Sequence, residues 1–120
     1  MACTGRGSDR LKTPDRGDLI VLDFDPQTGH EQMKRRPALV LSPASFNDAF
    51  GLAYVAPVTT KAKGHAFEVP LPADVKVKGV VMVHQLKSLD WRARGARYAG
   101  QASAVTLAAA VEIVRDIIDP

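Results

Sequence analysis

Two short apolar runs, Leu19 to Phe24 and Pro37 to Leu41, constrain the fold of this chain more than any other feature. Each is too short for an ordinary helix, and the first is rich in β-branched and apolar types that suit a pleated surface. The stretch Ala38 to Leu41 is apolar on both faces, so as a strand it belongs in the middle of a sheet or inside a barrel. Between the two runs lies a polar loop that holds His30, Glu31, Gln32, Lys34, Arg35 and Arg36. A proton acceptor and several anion-binding cations therefore fall within seven residues. Acid–base chemistry at a phosphodiester needs that combination: a base for the attacking hydroxyl and a cation for the developing negative charge. A solvated hairpin loop has the same composition.

The rest of the chain reads as further short strands and two helices. Asp25-Pro26 stops the first strand, because proline restrains φ and removes a donor. Ser42 suits the N-cap, and Pro43 the first turn, of a short helix over 44–50. A third strand runs from Leu52 to Val58, with Pro57 expected near its end. Phe67, Val69 and Leu71 alternate with Glu68 and Pro70, the pattern of a half-buried edge strand. Gly79 to Gln85, GVVMVHQ, reads as another strand with Val81 and Val83 on one face and Met82 and His84 on the other. Tyr98 falls in a last short strand after a turn at Gly95. Leu107, Val111, Val114 and Ile118 then recur at helical spacing, widened by Ala110, Ile113 and Ile117, with Ser103 or Thr106 as the cap. Five or six strands and a C-terminal amphipathic helix give a small α+β barrel spanning 17–120. Residues 1–16 are polar and unpatterned and read as a disordered tail.

Charge and cysteine usage narrow the class. The chain has 120 residues, enough for one domain with a small core, and a formal net charge of +3. The distribution matters more than the total. From His30 to Arg97 there are eleven Lys or Arg against five Asp or Glu, a local balance of +6 that suits an anionic partner, nucleic acid first. Cys3 is the only cysteine, so no disulfide can form within the chain, and no Cys/His cluster has zinc spacing. No apolar run is long enough for a signal peptide or a membrane span. A cytoplasmic protein without metal or other cofactor is expected.

Several side chains are candidates for chemistry. Arg36 stands where the loop enters the second strand, so the sheet should fix its backbone while the guanidinium meets a phosphate. Lys34 and Arg35 suit general electrostatic attraction. Glu31 is placed to take a hydroxyl proton, and His30 is a weaker alternative in the same loop. Thr59 and Thr60 end the third strand, where a hydroxyl can bond a phosphate oxygen, and Lys61 and Lys63 add charge beside them. His84-Gln85 ends the late strand, followed by Lys87. Trp91-Arg92-Ala93-Arg94-Gly95 interleaves an aromatic with two cations, as base stacking and phosphate binding require, although such a Trp is more often core. Together these residues suit metal-independent RNA cleavage in which the RNA supplies its own 2′-hydroxyl.

In order along the chain, several blocks resemble the MazF/PemK (Kid-like) family of bacterial toxin–antitoxin toxins, most closely its MazF branch. They are Gly17-Asp18-Leu19-Ile20, Asp23-Phe24-Asp25-Pro26, Gly29-His30-Glu31-Gln32, Arg36-Pro37-Ala38 and Val40-Leu41-Ser42. Pro57-Val58-Thr59-Thr60, Lys63-Gly64, Phe67-Glu68-Val69, Lys87-Ser88 and Trp91 to Gly95 complete the set. The resemblance implies an SH3-like (CcdB/MazF-type) barrel, a homodimer and a sequence-specific endoribonuclease acting on single-stranded RNA. It implies products with a 2′,3′-cyclic phosphate and a 5′-hydroxyl, and an acidic, MazE-like antitoxin that competes for the RNA groove. By position Glu31 corresponds to the general base, Arg36 to the general acid or transition-state clamp, and Thr59 to a phosphate or base contact. Lys63 and Gln85 correspond to groove contacts, with Lys34, Arg35, Thr60, Lys61, Lys87 and Arg94 as further RNA-binding candidates. One position departs from the pattern: His84 stands where MazF-like chains often carry an acid. The Kid branch places its acid–base pair at the positions of Met82 and His84. Met82 cannot serve, so the base is Glu31 or His84. The competing readings are a CcdB-like gyrase poison and a non-catalytic RNA-binding barrel, both of which leave RNA intact.

Overall fold

The computed structural model describes residues 12–24 and 35–120. Among them are seven strands: β1 (Asp18–Asp23), β2 (Arg35–Val40), β3 (Ala53–Thr59), β4 (Glu68–Pro70), β5 (Val80–Met82), β6 (Lys87–Leu89) and β7 (Arg97–Gln101). Helix α1 (Ala44–Phe50) follows β2, a 3₁₀ turn (Val83–Gln85) separates β5 from β6, and α2 (Ala104–Ile118) ends the fold. All pairings are antiparallel, in the order β4-β5-β3-β2-β1-β7, with β6 joined to β3. β4 and β7 do not pair with each other, so the sheet is barrel-like without closing.

Alternation along the central strands sends side chains into two cores. Leu19, Leu39, Ala56, Val58, Val69 and Val81 face α2, where Ala110 is fully buried. Ile20, Leu22, Ala38, Val40, Ala53 and Val55 line the opposite face. The segment from β6 to β7 crosses that face and drops Trp91 into it, 4% exposed. Both faces of β2 are thus covered, as its continuous apolar run requires.

The long strand expected over 79–85 breaks after Met82, for a reason that lies in β3. Val81 pairs with Val58 and Lys87 with Val55, so residues 82–86 run past only Ala56 and Pro57. The Leu41 N–H bonds the Tyr54 carbonyl. That phase makes Ala38–Pro57 a non-hydrogen-bonded pair, and the N–H that Pro57 lacks would point to the β5–β6 side. With no donor there the ladder stops, and the surplus residues coil into the 3₁₀ turn. Pro57 therefore lies inside β3 and fully buried, not near its end.

Other boundaries shift as well. Ser42 does not cap α1; the N-cap position is Pro43 and makes no side-chain bond. The Ser42 hydroxyl instead donates to Asn47 Oδ1 at 2.6 Å and accepts the Tyr54 N–H at 2.9 Å. The Asp15 carboxylate takes the free Ala44 N–H at 2.9 Å. Pro14 is fully buried, so the packed chain begins earlier than the expected tail boundary at residue 16; residues 1–11 lie outside the described residues. Ser103 does cap α2, accepting from the Thr106 N–H at 3.1 Å. The α2 stripe is covered only in part, with Ile117 and Ile118 47% and 71% exposed.

Asn47 knits these parts together. Fully buried, its amide donates to the carbonyls of Pro14 and Ser42 at 2.7 and 3.0 Å, and its own carbonyl accepts the Trp91 indole N–H at 3.1 Å. Asn47→Ala should strand two buried carbonyls and the Ser42 hydroxyl, each worth about 1–3 kcal/mol unpaired. The expected loss is roughly 2–4 kcal/mol in urea unfolding, and a change below 0.5 kcal/mol would refute the hub role.

Candidate active site

The start of β2, the end of β1 and the turn before β7 are fastened by two arginines. Arg35 bonds Asp23 Oδ1 at 3.1 Å, the Val21 carbonyl at 3.1 Å and the Gly95 carbonyl at 2.7 Å. Arg94 donates to the Asp23 and Phe24 carbonyls at 3.0 and 2.6 Å. Both were expected to contact RNA, and both bond the protein's own backbone, Arg35 through two guanidinium nitrogens and Arg94 through one. Arg35 also lines a cleft of about 1140 Å³ with Lys12, Trp91, Arg92 and Arg97. Arg92 stacks on the Trp91 ring, 4.5 Å from its centroid, while the Trp itself is core.

Arg36 differs from its neighbour. Strand alternation turns it to the other face of β2, where it pairs in register with Leu22. Its side chain is exposed, and among the described residues no hydrogen-bond or ion-pair partner holds it. Continued by two positions, the β2–β3 register brings Arg36 opposite Thr59, which itself pairs with Val80. Arg36 and Thr59 thus share one face at one end of the sheet. The Thr59 hydroxyl accepts the Lys61 N–H at 3.1 Å, which leaves its own hydrogen free to donate. Gly79 sets the spacing there. A Cβ at Gly79 would run into the Thr59 carbonyl oxygen, and the residue adopts φ +120°.

His30, Glu31 and Lys34, between β1 and β2 in the sequence, lie outside the described residues. Thr60, Lys61 and Lys63 follow Thr59 as an exposed cationic stretch. Lys87 stands over the Phe24 ring, 5.7 Å from the centroid. His84 and Gln85 are exposed on the 3₁₀ turn, so the strand-face pairing of Met82 with His84 does not apply. Among the described residues no group of three or more His, Cys, Asp or Glu is arranged to hold a metal.

Sequence reasoning passed over Glu68. It pairs in register with Met82 on the face that carries Thr59, one row further along. Its carboxylate accepts the Lys63 and Gly64 N–H groups at 3.0 and 2.8 Å, and only 5% of the side chain is exposed. These bonds hold its pKa below the ordinary 4.5, the Lys63 N–H first, against an opposing effect of burial. The only signal in the sequence was a carboxylate shortly after Lys63-Gly64, where the left-handed Gly64 (φ +79°) lets the loop fold back over it.

A small antiparallel sheet with a terminal helix presents cations and a hydroxyl at one end, a surface suited to a polyanion. The family can be named. Residues 15–118 match the family of PemK-like, MazF-like toxins of type II toxin–antitoxin systems, and the chain belongs to that family. The endoribonuclease toxin MazF of Escherichia coli K12 is 49% identical over 87 residues, 72% of this chain and 78% of that one. A crystal structure of MazF from Deinococcus radiodurans superposes with a TM-score of 0.83 at 47% identity, covering 92% of this chain and all of that one. A MazE–MazF structure from the same organism gives 0.85 at 48% identity, covering 90% and 97%.

Glu68→Gln tests the loop clamp. A carboxylate whose folded pKa is lowered stabilises the fold above its unfolded value and loses that stabilisation as pH falls through the folded one. The variant should melt below the wild type at pH 7, and the gap should close as pH drops below about 4.5. A gap independent of pH would exclude the charge as its source.

Proposed function

We infer that this chain is the toxin of a type II toxin–antitoxin system and an endoribonuclease that cuts single-stranded RNA at specific sites. The observation that carries this is Arg36: an exposed guanidinium without a partner among the described residues, on one sheet face with the donor-competent Thr59. A guanidinium without a partner among the described residues at a strand start, beside a neighbour engaged with Asp23 and the backbone, is suited to a ligand's negative charge. The relatives named endoribonucleases support the same reading.

In the mechanism we propose, a base removes the 2′-hydroxyl proton, the 2′-oxygen attacks the adjacent phosphorus, and the P–O5′ bond breaks. The products are a 2′,3′-cyclic phosphate and a 5′-hydroxyl, the leaving oxygen taking up a proton. Arg36 neutralises the charge that builds on the phosphoryl oxygens, and Thr59 bonds one of them. Glu31 or His84 supplies the base. Lys61, Lys63, Lys87 and Gln85 line the path of the strand. The protein works as a homodimer in the cytoplasm and is silenced by an acidic, MazE-like antitoxin drawn to the same basic face. No helix among the described residues is long and apolar enough to cross a membrane.

Arg36→Ala should leave the melting curve unchanged and lower cleavage by roughly 10²–10³, with a smaller loss for Thr59→Ala. Glu31→Gln and His84→Asn then identify the base: the true base variant collapses the rate and flattens the acidic limb of the pH–rate profile, and the other stays near wild type. Full activity in both removes both from the role.

Cleavage should persist in excess EDTA and stop on a substrate with a single 2′-deoxy sugar at the cut, because the nucleophile is the substrate's own hydroxyl. Loss in EDTA, or cutting of the deoxy substrate, contradicts transesterification. An RNA left intact by the wild type contradicts the endoribonuclease reading altogether.

A further inference from the structure

Three rings, two from residues 65–67 and one from the 3₁₀ turn, meet beside the site. His65 and His84 pack edge to face, their centroids 4.7 Å apart and their planes at 83°. Phe67 lies 6.0 Å from His65 and 6.5 Å from His84, and remains 41% exposed. Both histidines are exposed too. Flat rings held together at the surface, and not buried beneath anything in the described chain, retain open faces.

One ring of the cluster, His65, is held in place. His65 Nδ1 accepts the Phe67 N–H at 3.2 Å, so the neutral ring carries its proton on Nε2, which faces Glu68 Oε2 at 3.6 Å. Glu68 is fixed in turn by the Lys63 and Gly64 N–H groups. A ring held by a hydrogen bond at one nitrogen and facing a carboxylate with the other loses less freedom when something stacks on it. The nearly perpendicular imidazoles form a corner, so a flat group on one ring meets the edge of the other. Among the described residues neither nitrogen of His84 has a hydrogen-bond partner, which leaves both for the rim of that group.

Charge and position identify the occupant. Lys61 and Lys63 stand on the loop leading into the cluster, and the Glu68 carboxylate beside it is occupied by backbone N–H groups. Glu68 shares its sheet face with Thr59, two strands across and two residues along, roughly 12 Å. A planar ring flanked by phosphate is what single-stranded nucleic acid offers, and base stacking on aromatics with cations for the backbone is how such strands are held. We propose that His65, Phe67 and His84 form a base-stacking subsite that takes one nucleobase of the RNA next to the scissile phosphate. This rests on the endoribonuclease reading above.

The test uses the full chain and an uncleavable, mixed-sequence single-stranded DNA dodecamer with 2-aminopurine moved along it one position at a time. Wild type should quench the probe strongly at one position. His65→Ala and Phe67→Ala should remove that quenching and weaken binding by about 5- to 100-fold, while His65→Phe restores both. Thermal melts identify a variant that fails to fold, and the surface variant His65→Ala with its His65→Phe rescue decides the matter if Phe67→Ala does. Unchanged quenching and affinity in His65→Ala, with wild type still cutting RNA, overturns the subsite alone. Lost affinity for an acidic antitoxin segment with DNA binding intact assigns the rings to the protein partner and overturns it too. A wild type that leaves RNA intact removes the underlying reading, and the subsite with it.

Discussion

Strand β3 cannot keep a single partner along its outer edge, and much of the molecule is arranged around that fact. Pro57 offers no N–H at the point where the ladder would continue, so β5 and β6 flank it and the intervening residues coil outward. The break does two things at once. Val83, 1% exposed, turns into the core that Ala110 of α2 also occupies. His84 and Gln85 are left on the surface, where an unbroken strand would have committed one of them to the interior. A missing hydrogen-bond donor in a central strand is ordinarily a defect; here the 3₁₀ turn absorbs it and uses it to present side chains.

Arg35 and Arg36 show how one strand separates support from action. They are adjacent and chemically identical, yet alternation sends them to opposite faces. Arg35 meets Asp23 and the carbonyls of Val21 and Gly95, and so ties the beginning of β2 to the neighbouring chain. Arg36 inherits a fixed backbone without sharing those partners. The role proposed for Arg36 suits that arrangement, because electrostatic stabilisation is strongest when the group does not reorganise during reaction. Arg94, bound to the Asp23 and Phe24 carbonyls, braces the same corner from the far side.

The sheet, its edge strand and the capped terminal helix were legible in the sequence, because alternation and helical spacing are local signals. Leu19 and Ile20 enter different cores as the period of two demands, and Ser103 caps α2 as its position suggested. The misreadings have long-range causes. GVVMVHQ is a good strand by composition, and only a proline more than twenty residues earlier interrupts it. Ser42 is a good N-cap by composition, but buried Asn47 and the Tyr54 N–H claim its hydroxyl. For the site, the sequence picked out Arg36 and Thr59 singly, and it could not place them on one face without the strand register. Nor could it separate Arg35 from Arg36, whose difference is which partners each face supplies.

Glu68 and the ring cluster lie furthest from sequence reasoning, because their members come from a loop, an edge strand and the 3₁₀ turn. An edge strand is normally blunted against pairing with other chains, and β4 is short, bears Pro70 and is overhung by the 61–65 loop. The same features that protect the edge also shape it. The loop is held down by a carboxylate, the carboxylate orients an imidazole, and the imidazole meets a second one freed by the break opposite Pro57. Protection of the edge and presentation of the rings therefore depend on a single charge, so weakening Glu68 should loosen both together.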